Sequence, residues 1–90
     1  MKQIQEYQLH FLPEQYISIE KGSTILSAMV KNDSLFLTTI FDDNIYTYET
    51  VSIRIITAGN KLPDDVLNPK FIGTVVYNNI GYHVFQIINN

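Results

Sequence analysis

The chain of 90 residues has no cysteine and no tryptophan, only three prolines and four glycines, and a single arginine. Without thiols no disulfide can brace the fold, and no thiolate can hold zinc or act as a nucleophile. The two histidines, His10 and His83, lie far apart, and a structural zinc site wants four ligands of types the sequence does not supply. No stretch reaches the ~18 continuous apolar residues of a membrane-spanning helix. The opening residues, Met1-Lys2-Gln3-Ile4-Gln5-Glu6, are polar and lack the apolar centre of a signal peptide. The expectation is therefore an intracellular protein that keeps its first residues and uses neither metal nor cofactor.

Positive charge is equally sparse. The net charge is −3, and the six basic residues, Lys2, Lys21, Lys31, Arg54, Lys61 and Lys70, stand singly. Duplex nucleic acid needs a basic face that displaces several counterions, and an anionic membrane surface needs one as well. Neither is an expected partner. The acidic excess reads as a solvated surface that would tolerate a basic partner.

What the sequence does have is alternation. Tyr7, Leu9 and Phe11 recur at a spacing of two, which places them on one face of a strand over residues 4–11, ended by Pro13. In Tyr16-Ile17-Ser18-Ile19-Glu20 the isoleucines point inward and Ser18 and Glu20 outward, with a turn at Lys21-Gly22. Residues 25–30 and 35–41 form a pair of strands joined by Lys31-Asn32-Asp33-Ser34, whose Asn and Asp accept a left-handed φ. Residues 46–57 form a long strand with Val51, Ile53 and Ile55 on one face and Thr50, Ser52, Arg54 and Ile56 on the other. Residues 71–77 and 82–88 form a closing hairpin around Asn78-Asn79-Ile80-Gly81. Both of its arms are apolar on both faces, which suits sheet interior. Pro63 or Asp64 could start one helical turn over residues 64–68, stopped by Pro69.

The period of two predicts one all-β domain, a compact antiparallel sandwich or small barrel of six to seven strands. So small a domain buries about 60–65% of its unfolded surface. Unstapled domains of this size often gain core by self-association, so a homo-oligomer is expected.

No catalytic signature is present. Gly59, Gly73 and Gly81 stand alone and make no phosphate-binding loop, and no nucleophile elbow occurs. Asp42-Asp43 are neighbours on an extended chain, so they point apart and read as a solvated turn. His83, between Tyr82 and Val84, reads as a packed strand residue. Arg54 inside a strong strand is either an ion-pair partner or a grip on a carboxylate or phosphate. The six tyrosines, Tyr7, Tyr16, Tyr46, Tyr48, Tyr77 and Tyr82, fill a small core and cap sheet edges or present a flat face for recognition.

Several short segments in order carry a family resemblance: Tyr7-Gln8-Leu9, Ile17 with Ile19, Lys21 through Ser27, Leu37 to Asp42, Ile53-Arg54-Ile55, Gly59 with Leu62-Pro63-Asp64-Asp65, Phe71-Ile72-Gly73-Thr74, and His83-Val84-Phe85. With these the chain resembles a family of small uncharacterised bacteriophage and prophage proteins. It departs from the family where Thr57-Ala58-Gly59-Asn60 stands in place of Gly-Thr-Gly-His. The resemblance implies no reaction. It implies a viral accessory protein working in the bacterial host cytoplasm by binding, not by catalysis. One expectation is sequestration of a nucleotide signal of host anti-phage defence. Arg54, Gly59, Asn60 and Lys61 would then meet phosphates, beside Tyr77, Tyr82 and His83. The alternative is a protein–protein module that inhibits a host protein or forms a minor virion or replication component.

Overall fold

A computed structural model describes residues 1–88 and contains seven strands: β1 (Lys2–Leu9), β2 (Glu14–Glu20), β3 (Thr24–Lys31), β4 (Ser34–Asp42), β5 (Tyr48–Thr57), β6 (Pro69–Tyr77) and β7 (Ile80–Ile87). They form two antiparallel sheets, a three-stranded one in the order β1-β4-β3 and a four-stranded one in the order β2-β5-β7-β6. The fold is all-β, as the alternation predicts, and it is a sandwich: β1 and β2 remain separate edges, so no barrel closes.

The core lies between the sheets. Leu9, Leu35 and Leu37 come from the three-stranded sheet, and Ile19, Val51, Ile53, Ile55, Val75 and Val84 from the four-stranded one. Alternation puts each of these inward and its neighbours outward. Two hairpin turns follow directly from side-chain chemistry. Asn32-Asp33 and Asn78-Asn79 have φ of 52°, 63°, 51° and 63°, the left-handed pair that a two-residue hairpin loop requires. The second turn is thus shorter than the four residues read from sequence, and β7 starts at Ile80.

Three other expectations are corrected. Residues 64–68 hold no helical turn; the Val66 N–H donates to Pro63 O at 3.0 Å, closing a simple β-turn. β1 stops at Leu9, and Phe11 leaves the strand to stack on Tyr77 at 4.7 Å between ring centroids. Only one arm of the closing hairpin, β7, is sheet interior, because β6 is an edge strand of the four-stranded sheet.

β5 and β6 both run antiparallel to β7, so they are parallel to each other. Residues 58–68 must therefore travel back along the sheet before β6 can begin. They cross its outer face, where Asp65 meets Arg54 and Val66 is buried.

Candidate functional site

The outer face of the four-stranded sheet carries Arg54, Glu14, Tyr16, His83 and two phenylalanines. Register aligns them in rows across the strands: Tyr16, Ser52, Ile87 and Pro69 in one, and Glu14, Arg54, Phe85 and Phe71 in the next. A third row holds Ile56, His83 and Thr74.

Phe71 reaches this face through a local irregularity. Simple alternation would put Phe71 with Val75, inside. A β-bulge between Phe71 and Gly73 resets the register, so Val75 is buried while Phe71 is 57% exposed. Phe71 packs edge-on against Phe85 at 5.5 Å and lies 6.4 Å from the His83 ring. His83 Nδ1 and Thr74 Oγ1 share a hydrogen bond of 2.7 Å across the β6–β7 pair. Val76, on the same face, is 67% exposed, and Leu67 just before β6 is 69% exposed.

Arg54 is engaged within the chain. Its guanidinium is 3.0 Å from Asp65 on the crossover and 3.5 Å from Glu14 on β2, and its side chain is only 16% exposed. The Tyr16 hydroxyl donates to Glu14 at 2.9 Å, and that carboxylate beside it raises the Tyr16 pKa. The arginine thus ties the crossover to the sheet, the ion-pair alternative of the two read from sequence.

The remaining expected ligand residues fall into separate places. Gly59, at φ 92°, and Asn60 form the turn after β5, where Asn60 N–H donates to Thr57 O at 3.0 Å. The Ala58 N–H donates to Gly81 O at 2.8 Å, so this turn sits against the β6–β7 hairpin end. Lys61 follows it on the exposed crossover. Tyr77 and Tyr82 pack on Phe11, Tyr82 at 5.1 Å. Tyr82 lies against the core, whereas its neighbour His83 faces outward, because consecutive strand residues point to opposite faces. Of the seven residues, Arg54, Tyr77, Tyr82 and His83 thus lie on strands of the four-stranded sheet and Gly59, Asn60 and Lys61 beyond the end of β5, and they share no one surface. A cleft of about 270 Å³ lies instead beside Glu49, Thr50, Ser52, Gln86 and Ile87, and includes none of them.

Asp42 and Asp43 serve the turn and the N-terminus. The Met1 ammonium lies 3.1 Å from Asp43 and 3.6 Å from Asp42. Asp42 also accepts the Asn44 N–H at 3.1 Å, which holds its carboxyl below the ordinary range. Among the described residues no cluster of three or more His, Cys, Asp or Glu could hold a metal ion, and no helix is long and apolar enough to cross a membrane.

Compared with known families, residues 1–90 match a domain of unknown function, DUF7352. The chain belongs to this family. No curated protein and no solved structure matches it. Family membership therefore brings no activity to the site, and the geometry of the outer face carries the functional reading.

The residues missed by sequence reading are Glu14, Asp65 and Phe71. Arg54 inside a strand signals that counter-charges must exist, but only strand register shows that Glu14 lies opposite it.

Proposed function

We propose that the protein is a non-enzymatic binding module that holds a partner protein on the β6–β7 side of this outer face. One observation carries the reading: Phe71, beside Phe85 and His83, and Val76 on the same face present large apolar side chains to solvent, with Leu67 exposed just before β6. Exposed aromatic and aliphatic groups grouped on a rigid sheet mark interaction surfaces in small soluble domains. Residues 69–87 contain no Asp or Glu, although the chain as a whole is acidic. The surface thus suits an apolar partner patch with a neutral or acidic rim. A setting in a bacterial host, with the partner a host protein, is supported by the phage-family resemblance alone.

The nucleotide-sequestering reading has weaker support. Its arginine is held by Asp65 and Glu14, and its tyrosines pack on Phe11.

The test is capture from bacterial lysate with the wild-type chain and with a Phe71→Asp, Val76→Lys double variant. The wild type should retain one stoichiometric protein, and the variant should lose it while its circular dichroism is unchanged. Equal capture by both, or a nucleotide that raises the wild-type melting temperature with no protein retained, would overturn the proposal.

A further inference from the structure

The open edge of the three-stranded sheet has a self-complementary sequence. β1 bonds to β4 on one side only, and no backbone hydrogen bond leaves residues 2–9 toward any other described segment. Thr39 Oγ1, on β4, donates to Gln5 O at 3.3 Å, so the Gln5 carbonyl points to β4. Successive carbonyls of a strand point opposite ways. Lys2, Ile4, Glu6 and Gln8 therefore turn their N–H and C=O groups to the open side. At Glu6 only a long side-chain bond from Gln5 Nε2, 3.3 Å, occupies the outward carbonyl.

Of the usual guards of an edge, proline and a bulge are missing here; the charges are Lys2 and Glu6, the latter also 2.7 Å from Lys31 of its own sheet. β1 pairs with β4 without interruption over eight residues. Its Ile4 is 65% exposed.

We infer that β1 pairs antiparallel with β1 of a second copy of this chain about a two-fold axis at Ile4. In that register Ile4 meets its own mate, Lys2 faces Glu6, Glu6 faces Lys2, and Gln3 faces Gln5. The three outward residues Lys2, Ile4 and Glu6 then exchange about six backbone hydrogen bonds across the axis. The same three side chains lie on one face, so both opposite-charge pairs flank an apolar pair. The two three-stranded sheets become one of six strands. β2, the other open edge, has no such register: centred on Ile17, it would set Glu14 against Glu20. Association through β1 therefore closes as a dimer and does not propagate as a fibre.

Sedimentation of the intact chain tests this. The wild type should sediment as a dimer. Ile4→Pro removes only the outward N–H of residue 4, leaving the bonds to β4, and should weaken the dimer by about tenfold or more. Its far-ultraviolet circular dichroism should be unchanged. Because the chain has no cysteine, an introduced thiol reports the register. Ile4→Cys should form an interchain disulfide on mild oxidation, since directly opposed strand residues lie within bridging distance. Gln8→Cys, which has no opposite residue in this register, should not. A monomeric wild type, a dimer indifferent to Ile4→Pro, or equal crosslinking at positions 4 and 8 would each overturn the inference.

Discussion

The two flanks of the sandwich are closed by different means. On one, β3 of the three-stranded sheet runs alongside β6 of the four-stranded sheet, close enough that a Cβ placed on Gly73 would lie 3.9 Å from the Ala28 nitrogen. On the other, β1 and β2 stay apart and are tied by side chains and a short loop. The Tyr7 hydroxyl donates to Glu20, joining the two edge strands. Gln15, at the start of β2, clasps His10 of the loop from both sides, accepting from its N–H at 2.9 Å and donating to its carbonyl at 2.7 Å. One flank is thus sealed by close approach of main chain. The other is held by polar clasps that leave both strand edges exposed, and it is there that the self-complementary β1 lies.

If both flanks belong to one cooperative unit, cutting either inner sheet face should have the same kind of effect. Leu37 of β4 and Ile53 of β5 are fully buried in the shared core. Replacing either with alanine should cost about 2–5 kcal/mol, read as a lower denaturant midpoint in a single transition. Separate transitions monitored in the two sheets would break the comparison, because the flanks would then hold independently.

The clasp on the open flank is the next largest effect. Glu20, expected on the solvent side of β2, is buried, and its carboxylate accepts the Tyr7 hydroxyl. Tyr7→Phe removes the donor and should cost about 1–3 kcal/mol, because a buried acceptor loses its partner. Burial, with the Glu20 hydrogen bond and charge behind it, pushes the Tyr7 pKa from 10.0 up to about 12. The folded state therefore holds this proton more tightly than the unfolded chain does. The contribution is complete below the ordinary value of 10.0 and disappears as pH rises through about 12. Denaturant midpoints of wild type and Tyr7→Phe should accordingly converge across that alkaline window. A constant difference would show that the hydroxyl does not carry the clasp.

How much of this was readable from the chain depended on where the period of two was unbroken. Val51, Ile53 and Ile55 alternate without interruption, and their common face followed from spacing alone; the structure turns that face to the core. The Asn32-Asp33 and Asn78-Asn79 turns were legible because few side chains tolerate left-handed φ. Phe71 was not, since a single bulged residue reverses the face of everything before it. Arg54 was placed on the correct face, but Asp65, its partner, lies on a crossover whose path is set by strand order. Strand order is a long-range property that local pattern does not encode. The same holds for Glu20: its spacing assigned it to solvent, yet it is buried and its carboxylate meets Tyr7 of β1 in the other sheet.

The smallest effect tests the sealed flank. Close approach of β3 and β6 raises the question whether glycine at position 73 is what permits it. The geometry says that it is not: the added Cβ would make ordinary van der Waals contact at 3.9 Å, and Gly73 has no left-handed φ. Gly73→Ala should therefore leave stability unchanged or raise it by up to about 1 kcal/mol, because alanine narrows the unfolded ensemble. Gly81 supplies the contrast, since its Cβ would lie 3.3 Å from the Ala58 side chain, in the turn that caps β5. Gly81→Ala should gain less than Gly73→Ala or lose stability, as read from paired denaturant midpoints. If Gly73→Ala proved the more damaging of the two, β3 and β6 would have to approach more closely than this sandwich allows, and the sealed flank would owe its closure to the missing side chain.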